Sequence, residues 1–362
     1  MSDRFKLYGL LLLFFSLSAT LPAQLDYTGV NENLPALLVR LDSTVRAGTY
    51  ERITSILLAR RGKVLFEGYY NGADSTSLHN TRSATKTMAT LLTGLAIREG
   101  FIASERDPIF RHLGTDRPTN HPDPRKDSIA IEDLLTMSSA LECDDFNSFS
   151  RGNEERMYPI EDWVQFYLDL PIRSYPWGPP PSGQPYGRAW SYCSAGAATV
   201  AAVVEAAVGE PAHEFARRHL FLPLGITDYK LHFNPQGTLN TAGGSEYRSR
   251  DFMKLIQLCL QHGMWEGQSL IPAAWLAKAT TPKARVEPGV EYGYLLWLKS
   301  FGAEAKHPAF YMSGNGGQKI LAVPDLELAV VITTTNYNNR NAHPYTDEIM
   351  DRYVIPALTR ED

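Results

Sequence analysis

The sequence predicts an α+β fold, a sheet flanked by helices and interrupted by a helical insertion. Two observations carry this expectation. Strand patterns lie near both ends of the chain, at Ile53–Ala59 and Lys63–Tyr69 and again at Lys319–Val323 and Leu326–Thr335. Between them, over 107–229, the pattern is one of helices and loops. Such an order suggests one α/β sandwich region made of 24–106 and 230–362, with 107–229 as a helical insertion region. The chain has 362 residues, 44% of them hydrophobic, which is ample for a sizeable core. Its net charge of −5 gives no electrostatic ground for a nucleic-acid partner.

Taken in order, residues 1–23 read as a signal peptide. Arg4 and Lys6 form the charged start, Leu7 to Phe15 the apolar run, and Ala23 a small residue before a cut at Gln24. That run is short for a membrane span, so the expected location is exported, periplasmic or secreted, with no stable membrane span after cleavage. Asn33 to Ala47 reads as a helix with Leu34, Leu37, Leu38 and Leu41 on one face. The two strands that follow flank an Arg60-Arg61-Gly62 turn and form a hairpin. A helix over Thr87 to Glu99 carries Met88, Leu91, Leu92 and Leu95 at helical spacing. After the proline-rich stretch Pro176 to Pro185, a second apolar helix runs from Ala195 to Val208 and stops at Gly209. A helix from Thr346 to Leu358 ends the pattern.

The chemistry starts at Ser83-Ala84-Thr85-Lys86, just ahead of the Thr87 helix. A lysine three residues after a serine lies on the same helical face. The positive end of the helix dipole there favours a serine alkoxide and a neutral amine, which together make an activated nucleophile. The plain alternative is an N-capping serine beside a solvated lysine. Downstream come Trp190-Ser191-Tyr192-Cys193-Ser194 and Ser313-Gly314-Asn315-Gly316-Gly317-Gln318, the latter running into a strand.

In order and spacing these three elements resemble the serine β-lactamase-related hydrolases, whose motifs are S-x-x-K, Y-x-N and K/H-x-G. The resemblance is to the branch holding class C β-lactamases, D-Ala-D-Ala carboxypeptidases and family VIII esterases. Ile131 to Ser139 and Pro223 to Asp228 match it as well. The pairing of Tyr192-Cys193-Ser194 with Gly314-Asn315-Gly316-Gly317 looks most like esterases and 6-aminohexanoate-dimer hydrolases. It implies a β-lactamase/transpeptidase-like antiparallel sheet flanked by helices, with the site where the sheet meets the helical region.

The same resemblance implies roles. Ser83 is the nucleophile, and Lys86 and Tyr192 form a coupled proton-handling unit. The backbone N–H groups of Ser83 and Gln318 form the oxyanion hole. Ser194, Asn315, Gly316 and Gly317 contact substrate. Ser194 stands where the family has Asn, and Asn315 where peptidases and β-lactamases carry a cation. The loss of that cation predicts a preference for neutral esters or amides over carboxylate-bearing substrates. Asp144, Asp145, Asn153, Glu154, Glu155 and Tyr158 either line the substrate entrance or are solvated loop residues and helix caps. No metal and no cofactor are expected, since C-x-x-C and H-E-x-x-H spacings are absent.

Of the three cysteines, Cys259 reads as a buried core residue. Cys143 and Cys193 are either two separate thiols or, in an oxidising compartment, a disulfide. Tyr292, Tyr294 and Trp297 read as sheet packing. The whole is an exported serine hydrolase acting through an acyl-enzyme on small esters or amides. The rivals are a cell-wall D-amino-acid peptidase with weak β-lactamase activity and a non-catalytic ligand-binding member of the fold.

Overall fold

The hairpin at residues 53–69 and the strand that ends near 334 meet as neighbours in one sheet. In the computed structural model, residues 25–115, 117–173 and 184–359 are described. The main sheet has eight strands: β1 (Ile53–Arg60), β2 (Lys63–Tyr69), β3 (Ala284–Glu287), β4 (Val290–Tyr292), β5 (Trp297–Phe301), β6 (His307–Gly314), β7 (Gln318–Val323) and β8 (Leu328–Thr334). Their order across the sheet is β2-β1-β8-β7-β6-β5-β4-β3, and every pairing is antiparallel. Residues 1–23, read above as a signal peptide, and most of the proline-rich stretch lie outside the described residues.

The register shows why the central strands are apolar throughout rather than alternating. Leu57 and Ala59 of β1, Ile320 and Ala322 of β7, and Ala329 and Val331 of β8 enter one core. Ile56 and Leu58, Leu321 and Val323, and Leu328, Val330 and Ile332 enter a second. Both faces of the sheet are therefore covered, so polar alternation disappears. The turn between β1 and β2 takes Arg61 at φ 52° and Gly62 at φ 76°, the backbone of a two-residue hairpin loop whose twist suits the strands.

Five helices matter to the site: α1 (Ala36–Arg46), α2 (Thr87–Arg98), α3 (Ser194–Val208), α4 (Ser249–Leu260) and α5 (Ala342–Ile349). The leucines of α2 and the alanines and valines of α3 join the first core. Leu38 and Leu41 of α1 and Ile349 of α5 join the second. Gly209, at φ 74°, ends α3 in the left-handed conformation that only glycine adopts without strain. The C-terminal helix begins at 342, earlier than its apolar pattern predicts, and passes through a π-helical segment, Met350–Val354, before finishing at Thr359.

Cys143 and Cys193 are joined in a disulfide, with their Cα atoms 5.3 Å apart. The bridge spans 50 residues of sequence, and closing such a loop restricts the unfolded chain by about 4 kcal/mol. It also holds the segment before Asp145 against the one that carries Tyr192. Cys259 is buried and free, as its place in an apolar helix predicts.

Candidate active site

Ser83 lies not in α2 itself but in a 3-10 turn, Arg82–Lys86, that leads into it. Arg82 enters the turn at φ 53°, a backbone state that costs a non-glycine residue about 1–3 kcal/mol. Its carbonyl accepts from Gly244 N at 3.2 Å and from Thr85 Oγ1 at 3.0 Å, which helps to hold that geometry. On the other side, β6 ends against the turn. A Cβ on Gly314 would lie 2.0 Å from Thr81 O and 3.1 Å from Ser83 N, so only glycine allows the strand this close to the serine.

Lys86 is 2% exposed, and its Nζ donates to Ser83 Oγ at 2.9 Å and to the carbonyl of Ala242. The Tyr192 ring, on the segment that enters α3, has its centroid 5.0 Å from the same Nζ. Phe146 stacks on Tyr192 at 5.0 Å, and Trp297 of β5 packs at 6.0 Å on the same ring. Three residues separated by more than a hundred positions in sequence are thus gathered at one point.

Ser83, Phe146, Tyr192 and Trp297 border a cavity of about 510 Å³ between the sheet and the helices, with Lys86 behind Ser83 and outside the lining. Ser83, Tyr192, Asn315 and Gly316 line it, as the motifs predict. A larger cavity of about 710 Å³, under Leu298 and Phe310, is lined by Thr280, Ser300, His262 and the buried Cys259, whose thiol burial pushes up to about 12, and by none of the residues of the three motifs.

Three predicted substrate or oxyanion residues are absent from the lining. Gln318 is wholly buried, and its side chain bridges Thr334, donating to O at 2.7 Å and accepting from N at 3.0 Å. Ser194 is wholly buried too, and its hydroxyl donates to Glu154 Oε2 at 2.8 Å rather than facing the cavity. Gly317 abuts α5, where an added Cβ would come within 2.2 Å of Ala342 O. The motifs mark the segments but not which of their residues meet the cavity: Ser194 turns its hydroxyl to Glu154, Gln318 pairs with Gly314 across the β6–β7 turn, and Gly317 packs on α5. Asn315 does line the cavity, but its amide is engaged, donating to Asn338 Oδ1 at 2.6 Å and accepting from Asn338 N at 2.8 Å.

Conversely, the entrance reading of the acidic loop is the one the structure adopts for Asp145 and Glu154, which both line the wall. Asp145 accepts from Ser194 N at 2.7 Å and Glu154 N at 2.9 Å. Burial, with the neighbouring Glu154, pushes its carboxyl up to about 6, while Lys86 pulls the other way. Ionisation is therefore harder in the folded state than in the unfolded chain. The stability this group provides is complete below about pH 3.8 and is lost as pH rises through about 6. A shift of that size is worth about 3 kcal/mol. Asp145→Asn should flatten the wild-type fall in unfolding free energy between pH 4 and 7.5 by up to that amount. Urea denaturation at the two pH values checks this, and parallel curves for the two proteins would contradict it.

Residues 41–352 match the family model described as Beta-lactamase. The chain belongs to the beta-lactamase family. Its solved structural neighbours agree in fold at low identity. A provisionally named 6-aminohexanoate-dimer hydrolase from Bacillus anthracis superposes with a TM-score of 0.69 at 14% identity, covering 92% of this chain and 86% of that one. A D-stereospecific amidohydrolase from Streptomyces sp. gives 0.63 at 16%, covering 86% and 98%. EstCE1, a hydrolase with promiscuous acyltransferase activity, gives 0.68 at 15%, covering 87% and 97%. No curated protein matches the chain. The β-lactamase/transpeptidase-like fold expected from the motifs is the fold observed, and family members of this kind are serine hydrolases.

Proposed function

We propose that this beta-lactamase family protein is an exported serine hydrolase that transfers the acyl group of small esters or amides to Ser83 and then to water. The observation that carries the reading is the 2.9 Å contact between Ser83 Oγ and the buried Lys86 Nζ, with Tyr192 against the same amine. The Ser83 hydroxyl gives up its proton to the Lys86–Tyr192 pair as Oγ attacks the acyl carbon. Tyr192 and Lys86 share that proton and return it to the leaving group. A water molecule then attacks the acyl-enzyme, its proton passing through this pair to Ser83 Oγ as the acyl–Oγ bond breaks and the free acid leaves.

The oxyanion is held by the backbone N–H groups of Ser83 and Asn315. Asn315 takes the place expected for Gln318 because it directly follows Gly314, the residue pressed against Ser83 N, and lines the cavity. Export is supported by the charged and apolar N-terminal pattern and by the disulfide. Among the described residues no helix is long and apolar enough to cross a membrane. The neighbours' names include amide hydrolysis and acyl transfer, which keeps amides beside esters in the substrate class.

A fluorophosphonate probe tests the reading. Peptide mapping is expected to find the adduct on Ser83, alongside turnover of p-nitrophenyl acetate. A folded protein that takes no label and turns over no ester would overturn it.

A further inference from the structure

The neutral residue at position 315 predicts a site for uncharged substrates, but the strand register brings two other cations to the same cavity. Tyr311 of β6 pairs with Trp297 of β5, and Ser313 pairs with Lys319 of β7. Lys299 is two residues on from Trp297. Side chains alternate along a strand, so Trp297, Lys299, Tyr311, Ser313 and Lys319 share one face of the sheet. All five line the cavity that holds Ser83.

At that end of the cavity α5 supplies a single carboxylate for two amines. Asp347 Oδ2 accepts from Lys299 Nζ at 2.8 Å, and Oδ1 accepts from Lys319 Nζ. Burial opposes its ionisation, yet Lys319 and Lys299 together hold Asp347 below the ordinary carboxylate range. Lys319 has 2% of its side chain exposed and Lys299 31%. Their other close neighbours are aromatic faces. Phe301 lies 5.2 Å from each Nζ and Tyr311 5.3 Å from that of Lys319, and neither ring accepts a conventional hydrogen bond. An ammonium group has three N–H donors, so this corner has more donors than the one Asp347 carboxylate engages.

The remaining groups nearby do not fill that need. His343, one turn before Asp347, is pushed below the ordinary imidazole range by burial and by Lys319. Asp351 accepts from Gly302 N at 2.7 Å. Glu287 is exposed at the rim and makes no ion pair among the described residues. Asp145 and Glu154 line the same cavity, and each is engaged with the Ser194 segment: Asp145 accepts from Ser194 N and Glu154 from Ser194 Oγ.

We propose that this site takes substrates carrying a carboxylate, bound at the Lys299–Lys319 corner, with the scissile bond at Ser83. The proposal rests on the Ser83 reading and adds the substrate class. It also reverses the expectation drawn from Asn315.

Two matched ester pairs test it, because the carboxylate can sit on either side of the scissile bond. One pair is mono-p-nitrophenyl glutarate against p-nitrophenyl butyrate. The other is 4-acetoxybenzoate against its methyl ester. In at least one pair the carboxylated ester is expected to be preferred in kcat/KM by roughly 10–100-fold, a ratio that collapses in Lys299→Met and is kept in Lys299→Arg. No preference in either pair, or a ratio unchanged in Lys299→Met, would overturn the proposal. Titration with glutarate, followed by tryptophan fluorescence, reads the corner without turnover. Saturable binding that is lost in Lys299→Met supports it, and no binding by the wild type counts against it. If no ester is hydrolysed and Ser83 takes no label, the hydrolase reading fails instead, and the glutarate titration still decides the corner.

Discussion

Ser83→Ala is expected to remove ester turnover by about 10⁴–10⁶-fold and to abolish the acyl adduct, while the protein stays folded. The size follows from chemistry: Ser83 Oγ is the serine hydroxyl that Lys86 Nζ contacts, and alanine leaves that position without an atom that can form the acyl bond. The fold should survive because the change deletes one half-buried oxygen. Lys86 keeps its bond to Ala242 O, and losing the second acceptor costs about 1 kcal/mol. Mass spectrometry after a slow ester substrate, with urea denaturation as the control, checks both halves. An adduct on another residue, or wild-type turnover in the variant, would place the nucleophile elsewhere.

The second large effect concerns the proton-handling pair. Lys86→Met keeps most of the buried volume and removes the amine. Tyr192→Phe keeps the ring that stacks on Phe146 and packs on Trp297. Each change is expected to cost about 10²–10⁴-fold in kcat. The double variant should be scarcely worse than the poorer single one, because one proton passes through both groups. Independent groups would multiply their losses. Single-turnover kinetics on all four proteins therefore decides the matter, and a product of the two losses would mean that Lys86 and Tyr192 act separately.

Much of this molecule was legible in the linear chain, for identifiable reasons. The hairpin at 53–69 was legible because Arg61-Gly62 meets the turn's need for left-handed backbone. Helix α3 was legible because its apolar run stops at Gly209. Ser83, Lys86 and Tyr192 stood out because each lies in a short motif whose residue types carry chemistry. The strands β3 to β5, by contrast, were masked. They are short, and only Tyr292 and Trp297 betray the alternation. Position 314 was also passed over: the motif draws attention to Gly316 and Gly317, yet Gly314 is the glycine that lets the sheet touch the serine.

The sequence by itself determined which residues can react and which segments must be helix or strand, since both depend on side-chain chemistry and near-neighbour spacing. Only the tertiary structure decided what surrounds them. It turned Ser194 and Gln318 away from the cavity, tied Cys143 to Cys193, and brought Asp145, Glu154, Lys299 and Lys319 to the lining of one cavity. The physical reason is that motif spacing is local, whereas the charge and shape of a cavity come from strand register and helix docking between residues that are far apart in the chain.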